Sequence, residues 1–185
     1  VKSVTMDEIA AELGISKKTI YAHFPTKVKL IEATAIYVFE EISRGVNEIR
    51  EQDNDPLKEL YMIKEFAAAH LQDEKSSPHY QLQKYYPKIA ETLKLRQKKM
   101  LGEITIENLQ KGIAKDYYRK DLDIEFISRI YFIGIFGIKD RDVFSDSGLS
   151  TYELTNMHLE YHLRAIVTKA GLDKLEELIA KSRKK

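Results

Sequence analysis

The sequence predicts an all-α protein. Three observations carry that reading. Apolar residues recur at three- and four-residue intervals along most of the 185 residues. Helix start signals of the Thr/Ser-x-x-Glu and Asp-Pro kinds precede several of these runs. No alternating apolar–polar stretch or two-residue hairpin turn competes with them. Apolar residues at 43%, charged residues at 32%, eight Gly and four Pro suit a folded helical chain and exclude a disordered or disulfide-stapled one.

The first elements are short. In "TMDEIAAELGISKKTIYAHF", Thr5 and Glu8 have the spacing of a capping box, with Val4 and Ile9 placed as its hydrophobic staple. Ile9, Ala10 and Leu13 form one apolar face, and Gly14 supplies the turn. Ser16 caps a second helix whose Ile20 and Phe24, four residues apart, point inward. Lys18 and Ala22 then lie opposite that face, with Thr19 and Tyr21 flanking. This is a helix-turn-helix pattern. Pro25 ends the second helix, and Thr26 caps a long third one that holds its period to about Asp53, roughly 40 Å at 1.5 Å per residue. Asp55-Pro56 starts a helix to about Leu71, and a polar loop at 73–77 follows. Pro78 and Pro87 bracket the aromatic segment "HYQLQKYY". A long helix runs from about Ile89 to Ala114, then the connection "KDYYRKDLD", then an apolar helix from Ile124 to about Ser145. Ser150 and Glu153 form a second capping box opening a helix to about Ala170. Gly171 stops it, and Asp173 to Ser182 is a final amphipathic helix.

Charge distribution says more than net charge, which is +1. Ser16 to Lys29 holds Lys17, Lys18, Lys27 and Lys29 and no acid. The closing basic run, Lys181 to Lys185, reads as a solvated terminus. The longest apolar stretch, Ile124 to Ile138, is interrupted by Glu125, Ser128 and Arg129, and falls short of the roughly 20 residues that span a bilayer. The reading is therefore no membrane partner and no signal peptide. The absence of cysteine fits a reducing, cytoplasmic setting.

A helix-turn-helix places its second helix in the major groove while the first braces on the backbone. Lys17 and Lys18 suit phosphates or guanine acceptors, and the Thr19 and Tyr21 hydroxyls suit phosphate oxygens. Ala22 permits close approach to the groove and to a thymine methyl. His23 can donate to phosphate. Thr5, with the amides beside it, offers a phosphate seat at a helix start, and Lys27 can clamp the backbone from the next helix. The expected partner is double-stranded operator DNA.

The run Ile9-Ala10, Leu13-Gly14-Ile15-Ser16, Thr19-Ile20-Tyr21, His23-Phe24, Lys27 and Leu30-Ile31 resembles the N-terminal domain of TetR/AcrR-family transcriptional regulators. The resemblance implies a homodimer with a small three-helix DNA-binding domain, here residues 1–46, and a larger effector-binding and dimerisation domain, here 47–185. It implies that the long helix from Thr26 joins the two, and that Ile124–Ser145 and Ser150–Ala170 build a four-helix dimer interface. "GIAKDYYRKDLD" resembles the family's lead into that region. The family's first helix would precede Val1.

Most of the chain bears on when DNA is released. Tyr61, Phe66, Tyr80, Tyr85, Tyr86, Phe126 and Tyr131 are candidates to line a pocket for a small hydrophobic or amphipathic effector, with packed core the more favoured role for each. The stretch Ile130 to Ile138 needs burial on two sides, so Ile130, Ile133, Gly134, Gly137, Leu154, Tyr161 and His162 are candidates for the contact with a second copy. "HLEYH" puts His158 and His162 on one helix face at zinc-ligand spacing. However, Leu159 stands where a metalloprotease needs Glu, and no third ligand is apparent, so neither metal nor cofactor is expected. With no phosphate loop or nucleophile signature, the chain does not read as an enzyme. A ligand-responsive repressor leads. A regulator without an effector, whose second domain serves only dimerisation or protein interaction, stays open.

Overall fold

The computed structural model describes residues 4–70, 78–138, 141–144 and 148–182, with ten helices among them. They are α1 (Met6–Glu12), α2 (Lys17–His23), α3 (Lys27–Arg50), α4 (Pro56–His70), α5 (Pro78–Tyr85), α6 (Pro87–Ala114), α7 (Ile124–Gly137), α8 (Arg141–Phe144), α9 (Thr151–Ile166) and α10 (Lys169–Ser182). The described residues contain no strand, only an isolated antiparallel bridge between Tyr118 and Val167. None of the described helices is long and apolar enough to cross a membrane.

The chain divides into two compact units, Val1–Arg44 with Asp73–Gln97, and Gly45–Gln72 with Lys98–Lys185. The divisions fall inside α3 and α6, so each of these helices contributes to both.

In the first unit both capping signals form as read. The Glu8 amide donates to Thr5 Oγ1 at 3.2 Å and the Thr5 amide donates to Glu8 Oε2 at 2.6 Å. The Thr5 amide foremost, and after it the Thr5 hydroxyl, hold the Glu8 carboxyl below the usual carboxylate range. Ser16 Oγ accepts from the Thr19 amide at 3.0 Å, and Thr26 Oγ1 from the Lys29 amide at 3.2 Å. Between the first two caps Gly14 turns the chain with φ +64°, a conformation that costs glycine nothing. Met6, Ala10 and Ile20 are buried together, with Ile9, Phe24 and Leu30 packed against them. Leu13 departs from the expected apolar face and is 62% exposed. The helix ends at Glu12, and Leu13 is its C-cap.

The second unit is built around Leu57, Leu60, Leu109, Tyr118, Tyr131, Leu159, Leu163, Ile166 and Leu175. Each large apolar side chain here contributes about 1.5–3 kcal/mol by leaving water. One polar network lies inside this unit. Glu59, 1% exposed, accepts from Asn108 Nδ2 and Lys111 Nζ, both at 2.9 Å, and the buried Tyr118 hydroxyl donates to Asn108 Oδ1 at 3.0 Å.

Two boundaries differ from the sequence reading in an informative way. Helix α9 ends at Ile166, before Ala170, because the next residues pair with the chain after α6. The Arg119 amide donates to the Ile166 carbonyl and the Thr168 amide to the Tyr117 carbonyl, both at 2.9 Å. Gly171 consequently stops nothing; it lies in the first turn of α10. There a Cβ would fall 2.1 Å from the Tyr117 carbonyl oxygen, so the glycine is required by close approach. Helix α7 ends at Gly137 with Ile138 as its cap, short of the expected Ser145, which lies outside the described residues. The polar loop at 73–77 and the last residues of the basic tail also lie outside them.

Candidate nucleic-acid interface

Helix α2 presents the predicted face. Ile20 anchors it at 4% exposure, and Lys17, Lys18, Thr19, Tyr21, Ala22 and His23 are all exposed around the remainder. A seven-residue helix can bury one side against α1 and offer the other, and the 3.6-residue period decides which residues go where. Tyr21 keeps 42% of its surface exposed, an aromatic with a polar tip left in solvent.

The surroundings alter three of the assigned roles. Lys17, read as standing in an acid-free stretch, donates from Nζ to Asp7 Oδ2 of α1 at 2.8 Å, and that bond raises its pKa. Thr5 is committed to its capping box, its amide occupied by Glu8 and its hydroxyl by the Glu8 amide. The Thr5 amide and hydroxyl of the expected phosphate seat are therefore engaged within the same chain. Lys27 donates from Nζ to the Val4 carbonyl, tying the start of α3 to the lead into α1. Lys18, Tyr21 and Ala22 remain as an open face. Thr19 exchanges a 2.7 Å hydroxyl contact with Ser16. Spacing along one helix cannot reveal Asp7 or Val4, which arrive from a different element.

The described aromatic residues assigned to an effector pocket fall in both compact units, Tyr85 and Tyr86 in the first and Tyr61, Phe66, Phe126 and Tyr131 in the second. Tyr131 is buried in the second unit, its ring 5.3 Å from that of His158 and 4.3 Å from that of His162. Desolvation pushes its phenol pKa up. Tyr61 is half-buried against the same core, and the Phe66 ring packs against His70, centroids 4.1 Å apart. Phe126 is 58% exposed and lines no interior. Tyr85 is 37% exposed, with Lys84 Nζ 5.7 Å from its ring centroid, and Tyr86 is half-buried. The Tyr80 side chain lies outside the described residues. A shallow recess in the second unit is lined by Asn47, Arg50, Glu51, Glu107 and Lys111, polar and charged throughout.

The residues assigned to a second copy sort into two faces of the α7–α9 pair. Ile130 at 45%, Ile133 at 61% and Tyr161 at 74% are exposed, and a Cβ on Gly137 would meet nothing within 4 Å. Leu154 and His162, by contrast, are buried inside the subunit at 8% and 6%. Gly134 also serves the subunit's interior, since a Cβ there would fall 2.1 Å from His158 Cε1. Phe126 precedes Ile130, Ile133 and Gly137 at i, i+4, i+7 and i+11, so the helical period puts it on the open stripe. Met157, 58% exposed and four residues before Tyr161, continues that surface on α9. Met157 is not among the residues that the sequence reading assigns to this contact.

His158 and His162 do not converge on open space. His158 Nε2 lies 3.3 Å from the Tyr131 carbonyl oxygen, and burial lowers its pKa. His162 is pushed down to about 4, first by burial and then by the neighbouring His158. Among the described residues no group of three or more His, Cys, Asp or Glu is placed to hold a metal ion.

Comparison with known proteins bears on the same region. The model for bacterial regulatory proteins of the tetR family matches residues 1–34. The nucleoid occlusion factor SlmA of Aliivibrio fischeri is 33% identical over 60 residues, 32% of this chain and 31% of that protein. SlmA of Photobacterium profundum is 30% identical over 60 residues, again 32% and 31%. The alignable part thus spans about a third of these curated relatives. Solved structures extend the likeness in fold. SmeT, the repressor of the Stenotrophomonas maltophilia multidrug efflux pump SmeDEF, superposes with a TM-score of 0.70 at 13% identity, covering 91% of this chain and 82% of its own. A transcriptional regulator from Cytophaga hutchinsonii gives 0.69 at 22% identity, covering 90% and 89%. PfmR, a TetR-family regulator from Thermus thermophilus, gives 0.61 at 15% identity, covering 88% and 89%. The chain thus matches the tetR-family model over residues 1–34 and shares its fold along nearly all its length with solved TetR-family regulators.

Proposed function

We propose that the protein is a homodimeric DNA-binding transcriptional repressor released from its operator by a small hydrophobic or amphipathic effector. The observation that carries the DNA-binding part is helix α2. It is anchored by Ile20 and presents Lys18, Tyr21 and Ala22 as an open face, the shape and chemistry that a major groove admits. Lys17 and Lys27 add charge from the flanks. On meeting phosphates, Lys17 exchanges its exposed Asp7 partner for a backbone oxygen.

The exposed stripe of Phe126, Ile130 and Ile133 on α7, with Met157 and Tyr161 on α9, supports the dimer. A second copy would bury these apolar groups and set two recognition helices about 34–36 Å apart, one turn of DNA. The effector part is supported by the family and by SmeT, which represses an efflux pump. An effector releases DNA only by binding the two states unequally.

The test is affinity for a palindromic site selected from random-sequence duplexes by the wild-type protein. Replacing Lys17, Lys18, Tyr21 and Lys27 together by alanine should abolish it. The Lys18→Ala/Tyr21→Ala pair, which leaves the Asp7 and Val4 bonds intact, should weaken it at least tenfold with an unchanged melting temperature. Undiminished affinity in both would overturn the assignment.

A further inference from the structure

A second basic stretch of the chain lies outside the helix-turn-helix. Residues 78–99 hold Lys84, Lys88, Lys94, Arg96, Lys98 and Lys99 against a single acid, Glu91, in a chain whose formal net charge is only +1. Helix α6 orders these residues. At 100° per residue, Lys94, Lys98, Leu95, Lys88 and Lys99 fall within an arc of about 140°, with Glu91 among them. All six positions are exposed. The opposite side of the same helix is the one that goes inward, with Ile89 at 7% exposure. Lys88 and Lys99 share nearly one azimuth about 16 Å apart, and Lys94 and Lys98 stand one turn apart, about 6 Å. Arg96 lies off the stripe, 3.6 Å from Glu40 of α3.

We infer that this face of α6 is a second DNA-backbone contact, separate from the recognition helix. It rests on the DNA-binding reading above. A row of cations repeating every 6–16 Å along a helix matches a phosphate chain, and it needs no base to be read. The stripe begins in the same compact unit as α1 and α2, the unit that also holds α5 and the start of α6. Leu95, 63% exposed among the lysines, is suited to lie against deoxyribose. A lipid surface fits less well, because an interfacial helix inserts an apolar face, and here the apolar face of α6 is spent on the protein interior.

The experiment uses the full chain and a mixed-sequence 40-bp duplex, with affinity followed across salt concentration. The variant Lys88→Gln/Lys94→Gln/Lys98→Gln/Lys99→Gln should flatten the slope of log K against log salt by about 2–3, since each lost phosphate contact removes about 0.9. At low salt its affinity should fall tenfold or more. The corresponding four arginine substitutions should keep the wild-type slope. An unchanged slope in the glutamine variant overturns the inference, as does binding of the wild type to phosphatidylserine vesicles that the variant loses while its DNA slope stays the same. Lys18→Ala/Tyr21→Ala separates the two readings. Loss of selected-site binding there with an unchanged slope in the α6 variant refutes only the second contact. The reverse pattern refutes the recognition-helix assignment and leaves the α6 contact standing.

Discussion

Replacing Asn108 by alanine should destabilise the second unit far more than the loss of one surface amide would. Asn108 is 1% exposed and bonds three ways: Nδ2 donates to the Pro56 carbonyl and to Glu59 Oε1, both at 2.9 Å, and Oδ1 accepts from Tyr118 at 3.0 Å. Truncation leaves the Tyr118 hydroxyl, on a residue with 0% exposure, without an acceptor, a loss of about 1–3 kcal/mol. It also removes one of the two donors to the Glu59 carboxylate, and a hydrogen bond to a charged group contributes about 1.5–3 kcal/mol. The sum is about 2.5–6 kcal/mol, a large part of the 5–15 kcal/mol that holds a typical domain together. Tyr118→Phe alone should cost about 1–2 kcal/mol by orphaning Asn108 Oδ1. Added to Asn108→Ala, it should cost nothing or restore stability, because the hydroxyl it removes is then unpaired. Urea unfolding by circular dichroism, at one chain concentration for all four proteins, gives the double-mutant cycle. A cost under about 1 kcal/mol for Asn108→Ala, or additive effects in the double variant, would refute the network as described.

Four further outcomes follow from the same reasoning. Gly171→Ala should destabilise by about 2 kcal/mol despite the better helix propensity of alanine, since the new Cβ meets the Tyr117 carbonyl oxygen; thermal melting gives the sign. His162, held near pKa 4 in the fold against 6.5 for the free side chain, binds its proton more readily when unfolded. Its contribution is therefore complete above about pH 6.5 and lost as pH falls toward 4, on the order of 3 kcal/mol in all; His162→Gln should remove that part of the pH dependence in urea titrations. Ile133→Glu with Tyr161→Glu, both on the open stripe, should convert a dimer to a monomer in sedimentation at micromolar concentration, and a monomeric wild type would sink the dimer assignment. Thr5→Ala removes a cap and should cost about 1 kcal/mol in thermal melts.

The caps show why so much of the fold could be read in advance. Thr5 with Glu8, Ser16 with Thr19, and Ser150 with Glu153 act over three residues, so their partners are fixed by spacing alone. The same locality fixed the faces of α2, because the helical period that buries Ile20 leaves Lys18 and Tyr21 outside whatever packs against them. Where a partner comes from far along the chain, spacing is silent. Asp7 on Lys17, the Val4 carbonyl on Lys27 and the Tyr117 carbonyl over Gly171 are each delivered by another element. Their arrival turned an open lysine into a paired one and a helix stop into a point of close approach. The α7–α9 pair shows the same divide. Its composition called for burial on two sides, yet only packing could assign the sides. Gly134 and His162 went to the subunit's own interior because His158 and Tyr131 fill the space between the helices, and Phe126, Ile133 and Tyr161 were left outward. Local hydrogen-bond geometry is written residue by residue. Which apolar face meets which depends on the whole chain finding its lowest free energy at once.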